Sequence, residues 1–140
     1  MLFEAQSTWT VGNDKIQAIG ELEFICDHKN SIKETNDDDC PYELFAGALG
    51  GCLINTFLVI AERKRIRPIE VQMNTTISIK LKGEKFRIQS ISLAGFVIVP
   101  KESVGISKGV LEHALDYCPL ISLVNKTGVF SSDIEINPAI

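Results

Sequence analysis

A chain of 140 residues is the size of one domain and can bury a core without disulfide or metal staples. Apolar residues make up 45% and charged residues 23%, which excludes a disordered chain. The net charge of −4 argues against a nucleic-acid reader, which needs a clustered basic face. The one basic run, Arg63-Lys64-Arg65 with Arg67 behind it, reads as the solvated end of a helix.

From the N-terminus, MLFEAQSTWT has neither a basic leader nor a continuous apolar stretch, so no secretory signal is expected and the expected location is cytoplasmic. Residues 3–9 read as a short strand, followed by a turn at Gly12-Asn13-Asp14. From Ile16 to Cys26 the even positions are apolar or small and Gln17, Glu21 and Glu23 are polar, the period of a half-buried strand with Cys26 on its core face. Asp27 to Asp39 is polar and charged, with Ile32 the exception, and reads as a mobile loop.

A helix then opens at Cys40-Pro41, where proline suits the first helical position. Asp37, Asp38 and Asp39 before it and Glu43 in its first turn suit the positive end of its dipole. It runs to about Arg65 and stops before Pro68. Leu44 to Ala61 carries no charge, which reaches the lower limit for a membrane span. The glycine and alanine of Ala46 to Gly51 weaken that reading, and a helix apolar all round fits the centre of a dimer, so no membrane partner is expected.

Val71, Met73, Thr75, Ile77, Ile79 and Leu81 alternate with polar residues in the clearest strand. Lys82-Gly83-Glu84 turns the chain into a second strand, Phe86 to Val99, whose slipped phase predicts a bulge near Gln89-Ser90. Ser103 is expected to cap a helix with Ile106, Val110, Leu111, Ala114 and Leu115 on its apolar stripe. Cys118-Pro119 interrupts that helix and can open a shorter one through Leu123, before a last strand carrying Phe130, Ser132, Ile134 and Ile136. The order is that of an α+β fold with a single domain over residues 1–140.

Four cysteines, Cys26, Cys40, Cys52 and Cys118, show no C-x-x-C spacing, which argues for thiols over structural bridges. Cys52 sits mid-helix in GALGGCLIN, where three glycines each cost about 1 kcal/mol against alanine. Such glycines serve close backbone approach or access of a small substrate. A thiolate at Cys118, at the start of a helix, would have its pKa lowered by the dipole. Two buried, unrelated cysteines would be the plain structural reading.

The string PYELFAGALGGC, Pro41 to Cys52, resembles the first signature of the OsmC/Ohr-like family. LEHALDYCP, Leu111 to Pro119, resembles its second, a helix ending in Cys-Pro. Both stand in the family's order with a strand hairpin between them. The resemblance implies an OsmC-like fold in which two chains interlock as a homodimer, a long central helix wrapped by antiparallel sheet. It implies a catalytic site with Cys52 as peroxidatic and Cys118 as resolving thiol, and Glu43 as the motif's acidic residue. It further implies organic hydroperoxide as substrate and a dithiol reductant such as a lipoylated protein. No cofactor, metal or nucleic acid is expected.

Two departures place the chain nearer the divergent OsmC-like branch. Active hydroperoxide reductases of the family carry an arginine in the N-terminal strands or the following loop, and this chain has none before Arg63. The acid that follows the motif proline comes one residue late, with Tyr42 in its place. Lowering a thiol pKa from about 8.5 to about 6.5 raises the thiolate fraction at pH 7 about 25-fold but costs about 8-fold in nucleophilicity. Fast turnover therefore needs donors aimed at the developing oxyanion. Lys29 and Lys33 are the cations available in the charged loop. His28 and His113 read as surface residues, and a metal site from Cys26, His28, Asp37 and Cys40 matches no zinc spacing. The alternative function is a non-catalytic or redox-sensing protein that binds a small apolar ligand at the dimer interface.

Overall fold

A computed structural model describes residues 2–13, 15–19, 23–27, 32–34 and 41–140, and these described residues form seven strands and three α-helices. The strands are β1 (Leu2–Thr10), β2 (Lys15–Ile19), β3 (Glu23–Asp27), β4 (Ile32–Glu34), β5 (Glu70–Lys82), β6 (Lys85–Val99) and β7 (Phe130–Pro138). Helix α1 spans Pro41–Arg63, and a 3₁₀ turn at Lys101–Ser103 leads into α2 (Val104–Tyr117) and α3 (Pro119–Asn125). One sheet holds all seven strands in the order β4-β3-β2-β1-β5-β6-β7.

The alternation expected for β5 is what the sheet uses. Val71, Met73, Thr75, Ile77 and Ile79 are buried on the face that carries α1, beside Ala5 and Ser7 of β1 and Leu93 and Val97 of β6. Leu81 continues the phase but is exposed, because the β5–β6 hairpin outruns the core. The expected bulge is present: Ser78 pairs with Ser90 and Ile79 with Ile88, which leaves Gln89 as the extra residue.

Several expectations are corrected. Ile16 to Cys26 is two antiparallel strands, β2 and β3, rather than one. Their register pairs Ile16 with Cys26 and Ala18 with Phe24, so even positions meet even positions and a period of two gives no sign of the reversal. The expected core-facing side chain of Cys26 lies outside the described residues. Ile32–Glu34, inside the stretch read as a loop, forms β4 against β3. The sheet is mixed, not antiparallel throughout: β7 runs parallel to β6. The chain leaves the end of β6 and crosses through α2 and α3 before returning, the kind of connection a parallel pair requires. Ser103 stands at the N-cap of α2 but its side chain makes no capping bond, because the preceding 3₁₀ turn already leads into the helix. Ile106 is 52% exposed, off the buried stripe of Val110, Leu111 and Ala114.

Helix α1 begins with Pro41 and has Glu43 in its first turn; Cys40 lies outside the described residues. It ends two residues earlier than expected. Arg65 takes a left-handed φ of 59°, and the Ile66 N–H reaches back to the Ala61 carbonyl at 2.9 Å, closing the helix in the manner that usually employs glycine. One face of α1 (Ala46, Leu49, Gly50, Leu53, Phe57, Ala61) is buried against β1 and β5. Gly50 allows this approach: a Cβ there would lie 2.6 Å from Ser7 Oγ and 3.2 Å from Thr75 Oγ1. Ser7 Oγ donates to the Gly47 carbonyl at 3.1 Å, whereas Thr75 Oγ1 is buried with no partner among the described residues. By length and composition α1 could cross a membrane, yet its buried face forms the protein core.

Two substitutions test this packing. Gly95→Ala would bring a Cβ to 2.1 Å from the Gln72 carbonyl oxygen, and should lower unfolding free energy in urea by more than about 2 kcal/mol. Thr75→Val removes a buried, unpartnered hydroxyl at constant shape and should raise it by about 1 kcal/mol.

Candidate active site

Cys52 lies on the side of α1 turned away from the sheet and is half-buried. Cys118 is fully buried between α2 and α3. The Cys-Pro pair explains that position. A residue before proline avoids the helical region, and Cys118 accordingly has φ −66° and ψ 117°. Its N–H donates to the Ala114 carbonyl at 2.8 Å and ends α2, while its carbonyl accepts from the Ser122 N–H at 2.9 Å and starts α3. This break turns the Cys118 side chain toward α1, where its thiol donates to Cys52 Sγ at a sulfur–sulfur distance of 3.1 Å.

That hydrogen bond polarises the pair. Donation from the Cys118 thiol, against the cost of burial, draws the Cys52 pKa from 9.0 down to about 6, helped by the Leu120 backbone N–H and the Thr56 side chain. Cys118 is pushed strongly upward, first because its proton is held by Cys52 and then by burial. The expectation that the start of a helix lowers the Cys118 pKa is therefore corrected. Its neighbour Ile121 does act in that direction but is outweighed, and the Leu120 N–H of the same helix supports the Cys52 thiolate instead.

Two residues beside the sulfurs were not singled out from the sequence. Thr56, one turn after Cys52, donates to the Cys52 carbonyl at 2.9 Å. Tyr117 precedes Cys118 and packs edge-on against His113, with ring centroids 5.8 Å apart. Thr56 and Tyr117 line a cavity of about 340 Å³ with Asn55, Val59, Ile60 and Arg63, and the buried Asn55 Oδ1 has no partner among the described residues. The i+4 spacing of Thr56 from Cys52 is the only signal that sequence offered for either. Neither this cavity nor a larger one of about 630 Å³ at the far end of α1, by Trp9, Arg65 and Arg67, is lined by either cysteine.

Glu43, the third expected site residue, is buried in the first turn of α1. Nine residues of continuous helix place it about 13 Å along the axis from Cys52, so it touches neither sulfur of its own chain. Arg63 is eleven residues from Cys52, about 16 Å along the same axis. Lys29 and His28 and the side chain of Lys33 lie outside the described residues, as do the groups weighed as metal ligands with Cys26. Gly51, next to Cys52, is not required by close packing, since a Cβ there would meet Ile16 at an ordinary 3.7 Å.

The profile of the OsmC-like protein family matches residues 34–132, a span that includes both cysteines. No curated protein sequence matches the chain. Among solved structures, it is similar to an OsmC-like protein from Mycoplasma pneumoniae, with a TM-score of 0.62 at 17% identity over 96% of each chain. It is similar to an OsmC-like hydroperoxide resistance protein from Jannaschia, with a TM-score of 0.60 at 13% identity over 89% of this chain and 87% of that one. An organic hydroperoxide resistance protein OsmC from Legionella pneumophila gives 0.54 at 16% identity over 93% and 94%. At these identities the structures speak to the fold, and with the profile match they establish that the chain belongs to the OsmC-like protein family.

Proposed function

We propose that this chain is a thiol-dependent hydroperoxide reductase in which Cys52 is the peroxidatic and Cys118 the resolving cysteine. The observation that carries this reading is the 3.1 Å contact between a sulfur that ionises near pH 6 and a thiol that keeps its proton. The hydroperoxide resistance named for similar structures is consistent with it.

The Cys52 thiolate attacks the terminal oxygen of ROOH. The O–O bond breaks, Cys52 becomes a sulfenic acid, and the alkoxide takes a proton to leave as ROH. Oxidised Cys52 is neutral, so the two influences by which it raises the Cys118 pKa, the hydrogen bond and the charge, lose their cause. Cys118 sulfur then attacks Cys52 sulfur, a disulfide forms, and water departs with the Cys118 proton. Closing the sulfurs from 3.1 Å to a bond of about 2.05 Å takes a small side-chain movement. A dithiol reductant, the class to which a lipoylated protein belongs, returns both thiols by exchange.

Ionisation alone does little for the rate. A fall from 9.0 to about 6 raises the thiolate fraction at pH 7 from about 1% to about 90%. The accompanying loss of nucleophilicity is about 16- to 30-fold, so the net gain is only about 3- to 6-fold. The remaining acceleration rests on donors near Cys52, of which the described residues supply the Leu120 N–H, the Thr56 hydroxyl proton being given to the Cys52 carbonyl. Glu43 is given no step in this cycle. Its position suits stabilisation of the α1 N-terminus.

The same reading includes a homodimer. The outer side of α1 presents Ala48 and Val59 half-exposed and Leu44 37% exposed, an apolar surface that a second copy of the helix would cover.

One equivalent of cumene hydroperoxide should remove two thiols per chain and yield a Cys52–Cys118 peptide on mass mapping, reversed by dihydrolipoamide. Cys52→Ser should abolish the loss. Thiols that stay free would contradict the cycle and favour the binding-protein reading. Val59→Glu should lower the mass seen by light scattering from two chains to one, and an unchanged mass would contradict the dimer.

A further inference from the structure

Thr56 stands in a stretch of α1, Gly50 to Ala61, that is otherwise built of apolar and small side chains, with Asn55 the other exception. A β-branched residue lowers helix propensity, and a hydroxyl bonded back to the carbonyl four residues earlier slightly destabilises a helix. Thr56 makes that bond, to the Cys52 carbonyl at 2.9 Å. The helix does not need it. In a continuous α-helix the same carbonyl accepts the backbone N–H of residue 56, so the hydroxyl is a second donor on an acceptor already satisfied. Turning the hydroxyl away leaves no carbonyl unpaired.

The hydroxyl does, however, sit beside the sulfurs. Residues four apart share a helix face, and a helical side chain leans over the turn before it, here the turn of Cys52. The Thr56 side chain is a hydrogen-bond partner of both sulfurs and favours the thiolate of each. Cys118, which donates to Cys52 across 3.1 Å, is fully buried within its own chain, and a second copy can only deepen that burial. All of these contacts lie within one chain and depend on no exposed surface.

We propose that Thr56 is a further catalytic residue, a hydroxyl that turns its proton from the Cys52 carbonyl to the Cys118 sulfur and so activates the resolving thiol. This deepens the dithiol site proposed above and rests on the resolving role given there to Cys118. In the reduced pair the Cys52 thiolate holds the Cys118 proton. Oxidised Cys52 has no negative charge to hold it. Cys118 then sheds its proton as it attacks, in a buried place that penalises a thiolate. Rotation of the Thr56 hydroxyl brings a donor to the sulfur on which charge develops, and a donor to a charged group is worth more than one to a carbonyl. The S–S bond forms as the S–O bond of the sulfenic acid breaks, and the Cys118 proton leaves with the departing hydroxide as water. Thr56 keeps its own proton throughout.

The test isolates the resolving attack from hydroperoxide chemistry. One equivalent of dithiodipyridine, a small neutral disulfide, forms a mixed disulfide on Cys52 and expels one thiopyridone. Attack by Cys118 expels the second and closes the Cys52–Cys118 bond. Acid-quenched samples of the full chain, mapped by mass spectrometry, follow the pyridylthio group on the Cys52 peptide. In Thr56→Val, which keeps the side-chain shape and loses the hydroxyl, closure should be at least about tenfold slower than in the wild type. Thr56→Ser should close at a rate near the wild type. Thr56→Ala reads the same loss should the thermal melt show the valine variant unfolded. A valine or alanine variant that closes as fast as the wild type, or a serine variant as slow as either, would overturn the proposal. With excess cumene hydroperoxide, Thr56→Val should carry more Cys52 sulfinic acid per disulfide than the wild type, because slow resolution leaves the sulfenic acid open to a second oxidation. Wild-type thiols that ignore the hydroperoxide would overturn the peroxidatic role, while the pyridyl arm decides for or against Thr56 by itself, so the two failures read out separately.

Discussion

Helix α1 has no polar face, and much of the architecture follows from that constraint. An ordinary surface helix hides one apolar stripe and hydrates the rest. Here Leu49, Leu53, Phe57 and Ala61 are consumed by the sheet, and the opposite side stays uncharged from Leu44 to Ala61, with Asn55 and Thr56 the polar groups near Cys52. Packing α1 tightly on β1 and β5 takes Gly50, whose missing side chain lets the helix approach Ser7 and Thr75. Helices α2 and α3 then lie against α1, and the break between them delivers Cys118 to Cys52. A thiol in the middle of a core helix would be inert on its own. Its pKa is lowered because the chain stops a second helix beside it with a proline and so brings the Cys118 thiol to it.

The sulfur pair also shows how far environment, rather than residue type, decides chemistry. Both residues are cysteines with the same ordinary pKa, yet one is drawn down and the other pushed up by a single shared proton. Leu120 N–H and Thr56 both assist Cys52, and burial opposes the charge on either sulfur. This asymmetry is what the proposed division of roles, nucleophile and proton-bearing resolver, rests on.

Much of this was legible beforehand, for identifiable reasons. The alternation from Val71 to Ile79 is a direct image of one buried face, and the slipped phase at Gln89 is a direct image of an extra residue. The two cysteine motifs picked out a pair of sulfurs that the fold brings to 3.1 Å, because their order along the chain is meaningful even though neither is specific alone. What sequence could not show was direction and contact. Alternation in β7 says which residues face the core but not that the strand runs parallel to β6. A hairpin whose register pairs even with even positions looks like one long strand. The dipole argument for Cys118 was sound physics applied to the wrong sulfur, because only coordinates reveal which thiol donates.

The claim on which the account turns is that the Cys118 thiol holds Cys52 as a thiolate. The pH dependence of Cys52 alkylation by iodoacetamide, read on its peptide by mass spectrometry, tests it most directly. The wild-type rate should rise with a midpoint near pH 6, and in Cys118→Ala the midpoint should move up toward the ordinary 9.0. A wild-type midpoint close to 9.0, or one near 6 that Cys118→Ala leaves in place, would contradict the account.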